Sequence, residues 1–140
     1  WEKENRNYED KIERLTLVNL IKKLPHRPFT LMDAGCGFGR LYNTYAPLAD
    51  RFILLDYAQH LLDQAQKDYP DQPIQFVQGS LTDMPIPSQS VDLILTVRTL
   101  HHLQNPSLFF NESNRVLKQD GYLIFEIPNK EIVFISMDIL

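Results

Sequence analysis

Three glycines at alternate positions are the most distinctive chemical feature of the sequence, where residues 33–39 read Asp-Ala-Gly-Cys-Gly-Phe-Gly. Glycine lets the backbone turn sharply and approach a ligand more closely than a Cβ atom would allow. A helix beginning just after the loop would add unpaired N–H groups and the positive end of its dipole. Such a loop could hold a dinucleotide or an adenosyl cofactor. The dinucleotide pattern Gly-x-Gly-x-x-Gly fits poorly, because Arg40 stands at its last position and the third glycine comes one residue early.

Other side chains add candidates for binding and catalysis. Asp56 ends a short apolar run, and a carboxylate there could accept both hydroxyls of a ribose or could simply be an exposed acid at a strand end. His101 and His102 are adjacent, so they point in different directions, and no Cys, Asp or Glu stands nearby at ligand spacing. No metal site is therefore predicted. Either histidine is a weak candidate for a base or a polar residue at a cleft rim.

The residues between these motifs predict strands that alternate with helices. Nearly all-apolar strands indicate an α/β fold with a mostly parallel five-stranded sheet in a three-layer α/β/α arrangement. In such sheets ligands bind at the carboxyl ends of the strands, which brings together the loops at 33–40, 56–58, 79–85 and 96–103. The last dozen residues are ambiguous between helix and strand. The predicted strands are 29–33, 52–56, 74–77, 91–97 and 122–127, the helices 8–24, 39–48, 58–67 and 106–117 with Asn105 as N-cap, and the turn 118–121.

Bulk properties narrow the class of protein. A chain of 140 residues predicts one domain over residues 1–140. With a net charge of −4, nucleic-acid binding is not expected, and no apolar run approaches the roughly 20 residues that span a bilayer. Cys36 is the only cysteine, which excludes an intrachain disulfide and favours a cytoplasmic location. The chain begins at Trp1 and ends at Leu140 in an apolar segment, as a fragment of a longer chain would.

Five segments resemble, in the same order, the motifs of S-adenosylmethionine-dependent methyltransferases. Residues 33–39 resemble the Asp/Glu-x-Gly-x-Gly-x-Gly motif, and residues 55–65, 76–85, 91–103 and 116–123 resemble the four that follow. The resemblance covers residues 29 to about 127 and identifies the chain as a member of the Rossmann-like class I superfamily, of the type acting on small molecules. It implies S-adenosyl-L-methionine as cofactor and direct displacement at its sulfonium methyl by an oxygen, nitrogen, sulfur or carbon of the acceptor.

The resemblance also implies roles for individual residues. The backbone of the loop would wrap the methionine part of the cofactor, and Asp33 would orient its ammonium. Asp56 would accept the ribose hydroxyls, while Tyr57 would pack against adenine or serve as ordinary surface packing. The implied cofactor-binding residues are Asp33, Gly35, Cys36, Gly37, Gly39, Asp56, Tyr57, Ser80 and Leu81.

The adenine end departs from the family pattern. Many relatives carry an Asp where this sequence has Ser80, and a hydroxyl is a weaker acceptor than a carboxylate. Asp83 or the backbone N–H of Leu81 could take its place. On the substrate side the candidates are Tyr8, Arg98 and His101, with residues 1–24 forming a helix that could act as a lid.

Two other functions fit the sequence less well. An NAD-dependent oxidoreductase is disfavoured by the glycine spacing, whereas a non-catalytic adenosyl-binding or scaffold protein stays open because Ser80 replaces a carboxylate. Relatives usually carry two further strands after the fifth. Their absence indicates a shortened chain or a partner chain at that sheet edge, so a homodimer is one expectation.

Overall fold

The computed structural model describes residues 2–127 and 131–136. Its helices are α1 (Glu2–Lys22), α2 (Tyr42–Tyr45), α3 (Gln59–Asp68) and α4 (Pro106–Val116), with short 3-10 helices at Ala46–Leu48 and Leu100–His102. Its strands are β1 (Thr30–Ala34), β2 (Arg51–Asp56), β3 (Ile74–Gln78), β4 (Val91–Thr96), β5 (Leu117–Glu126) and β6 (Ile132–Ser136).

The strands form one sheet in the order β3-β2-β1-β4-β5-β6. Strands β1 to β5 pair in parallel, and β6 pairs antiparallel with β5. The chain moves from β1 outward through β2 to β3, then crosses back to place β4 on the other side of β1. The carboxyl ends of β1 and β4 therefore flank the point where the topology switches, which is where ligands bind in such sheets. The predicted mostly parallel α/β fold is confirmed.

The predicted number of five strands is wrong, because the described residues contain six. The apolar segment Ile132–Ser136 forms β6, which pairs with the outer edge of β5. β-branched residues such as Ile132 and Val133 favour an extended strand, and pairing satisfies the backbone groups of that edge. The sequence pattern was ambiguous here because a short apolar run fits a buried helix as well as a strand.

Three predicted elements also differ in their boundaries from the structure. The N-terminal helix predicted over 8–24 begins at Glu2 and ends at Lys22. β5 begins at Leu117 instead of residue 122: Val91 pairs with Leu117 and Leu93 with Tyr122, so residues 118–121 form a bulge in the strand. The turn predicted for these four residues lies within the bulge, where Asp120 has the left-handed φ of 65°. The helix predicted over 39–48 is shorter than expected, since the glycine loop continues to Leu41 before α2 begins.

The helix predicted after Asn105 is confirmed in detail. The Asn105 side chain accepts a hydrogen bond from the Ser107 backbone N–H at 3.2 Å, and Pro106 occupies the first helical turn. This cap satisfies one of the donors that a helix start leaves unpaired.

Apolar residues fill both faces of the sheet because side chains alternate along each strand. On β2, for example, Phe52 and Leu54 belong to one cluster and Ile53 and Leu55 to the other. The first cluster includes Leu17 from α1, and the second includes Phe109 from α4. The sheet is thus covered on both sides, as the three-layer prediction requires. Among the described residues, no helix combines the length and apolar character needed to cross a membrane.

Candidate functional site

The glycine loop between β1 and α2 is held by the neighbouring strand. The backbone N–H groups of Gly35 and Cys36 both donate to the carbonyl oxygen of Leu55, at 2.8 and 3.1 Å. Gly35, Gly37 and Gly39 have φ angles of 80°, 58° and 82°. Residues with a Cβ atom rarely adopt this left-handed conformation, so the three glycines are required by the path of the backbone.

The surroundings of the glycines show which side of the loop is open. A Cβ atom on Gly35 would lie 2.7 Å from the Thr99 side chain, and one on Gly39 would lie 2.9 Å from the Tyr69 ring. A Cβ atom on Gly37 would meet nothing within 4 Å. The loop is therefore packed tightly at both ends and open at its middle, where a ligand can approach the backbone.

Asp56 at the end of β2 fixes the middle of this loop. One carboxylate oxygen accepts the Gly37 N–H at 2.8 Å, and the other accepts the Ala58 N–H at 2.9 Å. A carboxylate offers about four acceptor positions, so each oxygen retains one for a ligand. Asp56 thus both shapes the glycine loop and presents acceptors beside it, in the position that the sequence predicted for a ribose contact.

Asp33 lies at the end of β1 and is almost fully buried. Its carboxylate accepts a hydrogen bond of 2.8 Å from the Tyr45 hydroxyl. Burial disfavours the charged form and raises the pKa of Asp33 to about 7, although the bond from Tyr45 and the charge of Arg40 act in the opposite direction. The negative charge of Asp56 adds to the rise. A cation bound nearby would restore the charged form.

A cleft opens beside this loop at the carboxyl ends of β1 and β4. Cys36 lines it, but burial raises the pKa of its thiol well above the ordinary value, so the thiolate needed for nucleophilic chemistry is disfavoured. The residues lining the cleft are Asp33, Gly35, Cys36, Gly37, Phe38, Arg40, Leu41, Val97, Arg98 and Thr99.

Helix α1 reaches this cleft through two acidic side chains, Glu13 and Asp10. Glu13 is buried, and its two carboxylate oxygens pair with Arg40 at 2.6 Å and with Arg98 at 2.9 Å. Asp10, one turn earlier, also pairs with Arg40 and with Arg14. Arg98 adopts a left-handed backbone conformation with a φ of 59°, which is uncommon for a bulky side chain and frequent at functional sites. The two guanidinium groups of the cleft are thus held by α1.

Four other residues predicted from the sequence are not among those that line the cleft. Tyr57 follows Asp56 and is 75% exposed, and Tyr8 on α1 is 66% exposed. The Ser80 hydroxyl lies 2.9 Å from that of Thr82 and accepts its backbone N–H at 3.1 Å. Leu81 is buried in the core, so only its backbone is suited to contact a polar ligand.

The two adjacent histidines lie on the 3-10 helix after β4 and are both exposed. Their ring centroids are 3.9 Å apart with the planes tilted by 44°. Within residues 2–127 and 131–136, no three His, Cys, Asp or Glu side chains are grouped in a way that could hold a metal ion.

Sequence reasoning missed Glu13, Arg40 and Tyr45 as residues of the site. One signal was available for Glu13: it shares a helical stripe with the buried Leu17 and Ile21 at a spacing of four residues. An acidic residue on an apolar stripe implies a buried cationic partner. Nothing in the sequence indicated which arginine that partner would be, and no local pattern marked Tyr45.

Comparison with known proteins gives a consistent picture. The family model described as "Methyltransferase domain" matches residues 32–125. A "Probable S-adenosylmethionine-dependent methyltransferase" of Mycobacterium tuberculosis is 30% identical over 100 residues, which are 71% of this chain and 36% of that protein. The demethylmenaquinone methyltransferase of Chlamydia felis is 29% identical over 77% of this chain and 46% of its own length. The chain therefore spans between a third and a half of these relatives.

Solved structures show the same fold. An S-adenosylmethionine dependent methyltransferase from Mesorhizobium loti superimposes with a TM-score of 0.70 at 22% identity, over 84% of this chain and 54% of its own. At that identity the likeness concerns the fold.

Proposed function

The chain belongs to the methyltransferase domain family, whose cofactor is S-adenosylmethionine, and we propose that it transfers the cofactor's methyl group to a small-molecule acceptor. The observation that carries this proposal is the cleft between the ends of β1 and β4, where an open glycine loop lies between the carboxylates of Asp33 and Asp56. Each part of the cofactor has a counterpart in this arrangement.

The chemistry of these residues fits the cofactor. Gly37 leaves space that a Cβ atom would otherwise fill, so an amino acid moiety could lie against the loop. The buried Asp33 carboxylate lines the cleft and suits an ammonium. Asp56 keeps an acceptor position on each oxygen for the ribose hydroxyls. We propose these residues, together with the backbone of Gly35, Cys36 and Gly39, as the cofactor-binding set.

The bound cofactor supplies an activated methyl group on a sulfonium, so the acceptor needs no covalent help from the protein. The task left to the chain is to align the two reactants and to exclude water. This agrees with a cleft in which Cys36 is unsuited to act as a nucleophile. Arg98 lines the cleft and His101 is exposed three residues later; we propose both as substrate-side residues, with His101 or His102 as a base for acceptors that carry a proton.

We propose that α1 covers the cofactor cleft. Its Glu13 carboxylate joins Arg40, which follows Gly39 in the loop, to Arg98, which follows β4. The helix is therefore tied to both walls of the cleft by charge-assisted hydrogen bonds, which are stronger than neutral ones. Tyr8, one turn and a half before Glu13, is exposed on this helix and would complete the cover when an acceptor is bound.

At the adenine end we propose the backbone N–H of Leu81 as the main contact. The Ser80 hydroxyl is already engaged with Thr82, and the exposed Asp83 lies close enough to Arg115 to raise the pKa of that guanidinium. Tyr57, exposed beside Asp56, would stack on the base as aromatic rings commonly do.

A small-molecule acceptor is supported by the names of relatives, which include the demethylmenaquinone methyltransferase and the malonyl-[acyl-carrier protein] O-methyltransferase of Yersinia pestis. The net charge of −4 supports an acceptor other than nucleic acid. A single buried cysteine supports a reducing, cytoplasmic location. We also propose a homodimer. β6 covers the edge of β5 on which the expectation first rested, and β6 is itself the last strand of the sheet among the described residues, so its outer edge is where a partner strand would pair.

The proposal is tested by calorimetric titration of the protein with S-adenosylmethionine, S-adenosylhomocysteine and NAD. We expect both adenosyl ligands to bind and NAD to bind at least tenfold more weakly. Binding of NAD alone would overturn the proposal. Adenosyl binding without turnover across a panel of small acceptors would instead support a non-catalytic adenosyl-binding protein.

A further inference from the structure

A tyrosine hidden beneath the cleft holds one of its carboxylates. Tyr45 is fully buried, and its hydroxyl donates a hydrogen bond of 2.8 Å to Asp33. Its ring is wedged against Tyr42 and Phe52, with both pairs of ring centroids 5.8 Å apart. A large ring packed among other rings in a dense core has little room to rotate, which keeps the hydroxyl directed at the carboxylate.

The electrostatic setting makes this single bond important. Among the described residues Asp33 takes part in no salt bridge, and the groups that act on its charge are Tyr45, Arg40 and Asp56, with the Cys36 thiol also nearby. Burial and the carboxylate of Asp33 raise the pKa of Tyr45 well above the ordinary value. The phenol therefore stays protonated and acts as a permanent donor throughout the range in which Asp33 titrates.

We infer that Tyr45 is a positioning residue for the cofactor: its hydroxyl holds the buried Asp33 carboxylate in the charged form and orientation that receive the ammonium of S-adenosylmethionine. This inference rests on the proposed function. One oxygen of Asp33 accepts the bond from Tyr45, the other is not used by that bond, and Asp33 is among the residues that line the cleft. A neutral, fixed donor is suited to this task, since a cationic partner would compete with the ammonium.

A pH dependence follows from the same geometry. The pKa of Asp33 is raised to about 7, so the carboxyl group becomes neutral as the pH falls below that value and loses its attraction for a cation. From this ionisation alone, affinity for S-adenosylhomocysteine should be about tenfold weaker at pH 6 than at pH 8. Removing the Tyr45 hydroxyl destabilises the charged form of Asp33 further, so the midpoint of the pH dependence of binding should move to higher pH.

The test compares Tyr45→Phe with the wild-type protein by titration calorimetry with S-adenosylhomocysteine from pH 6 to pH 9. We expect the midpoint to rise by about one pH unit, which weakens binding about fivefold at pH 7 and less than about twofold at pH 9. The ratio of the two proteins at each pH cancels any titration of the ligand itself. The Asp33 pKa can be followed independently by NMR of its carboxyl carbon in the ligand-free protein.

Tyr42→Phe is the matched control, because Tyr42 belongs to the same aromatic cluster and its hydroxyl contacts Gln72 at 3.4 Å instead of Asp33. It should leave the midpoint unchanged. A Tyr45→Phe protein that loses affinity equally at every pH, with an unchanged Asp33 titration, would overturn the inference and leave Tyr45 as packing only. Asp33→Asn separates the two proposals: if it binds like wild type, the proposed role of Asp33 itself fails.

Discussion

Replacing Asp56 with alanine removes the only carboxylate that contacts the open middle of the glycine loop among the described residues. Each of its oxygens already accepts one backbone N–H, from Gly37 and from Ala58, and retains one acceptor position for a ribose hydroxyl. Hydrogen bonds to a charged group contribute about 1.5–3 kcal/mol. We therefore expect Asp56→Ala to raise the Kd for S-adenosylhomocysteine by about 10- to 150-fold, a conversion at roughly 1.4 kcal/mol per factor of ten.

The same substitution could weaken binding by releasing the loop, so the assay must separate the two effects. Titration calorimetry with S-adenosylhomocysteine and its 2′,3′-dideoxyribose analogue forms a double cycle of protein and ligand. If Asp56 binds the ribose, the wild-type protein should lose most of this energy with the dideoxy ligand, and Asp56→Ala should discriminate little between the ligands. An equal loss for both ligands would show that Asp56 only shapes the loop, and unchanged binding would refute the reasoning altogether.

Asp92 offers a matched control. Its carboxylate also accepts a backbone N–H, from Thr30 at 2.9 Å, and pairs with Lys118 at 3.5 Å. It lies near the start of β4, at the opposite end of the sheet from the cleft. Asp92→Ala should lower the free energy of unfolding as Asp56→Ala does, because both release a backbone donor, while leaving the affinity for the cofactor unchanged.

Three further predictions test the scaffold around the site. Glu13→Gln should lower the free energy of unfolding by about 1–3 kcal/mol and speed the dissociation of S-adenosylhomocysteine in stopped-flow experiments; unchanged dissociation would contradict α1 as a cover. Gly35→Ala should destabilise more than Gly37→Ala in urea unfolding, because only the former meets a side chain at 2.7 Å, and the reverse order would contradict the loop packing. The pKa of Glu112 is lowered chiefly by the Arg115 hydrogen bond, so the stability that this ion pair contributes is present above about pH 4.5 and is lost as the pH falls. Glu112→Gln should therefore reduce the decrease of the unfolding temperature at acidic pH. An unchanged decrease would contradict a stabilising role of this ion pair.

The elements that the sequence predicts well are those determined by local pattern. The apolar run that ends at Asp56 forms a strand of a sheet covered on both faces, because its side chains are apolar and become buried there. Helix α4 begins after Asn105, because the Asn105 side chain accepts a hydrogen bond from a backbone N–H that has no partner within the helix. The position of Asp33 and Asp56 at strand ends follows from these elements alone. Their convergence on one cleft follows from the rule that parallel strands present their carboxyl ends at one edge.

What the sequence does not predict depends on contacts between distant residues. Glu13 pairs with Arg98, 85 residues away, and no periodicity connects the two positions. Tyr45 is only 12 residues from Asp33, but the bend through the glycine loop decides whether its ring points to the strand or to solvent. The strand β6 was missed for a different reason, because a short apolar segment becomes a strand only when an edge such as that of β5 is present to pair with it.

The way in which the charged side chains of the cleft pair with one another connects these long-range contacts with the proposed function. Asp56 lies close enough to Asp33 for its negative charge to raise the pKa of Asp33, and neither carboxylate forms a salt bridge among the described residues. The cations that could neutralise them, Arg40 and Arg98, are instead engaged by Glu13 from α1. Asp33 and Asp56 are therefore left for the ammonium and the ribose hydroxyls of the proposed cofactor, and α1 performs this separation in addition to its proposed role as a cover of the cleft. On this reasoning the loss of Glu13 would leave Arg40 held by Asp10 alone and better able to approach Asp33, so weaker cofactor binding in Glu13→Gln should be accompanied by a lower pKa of Asp33.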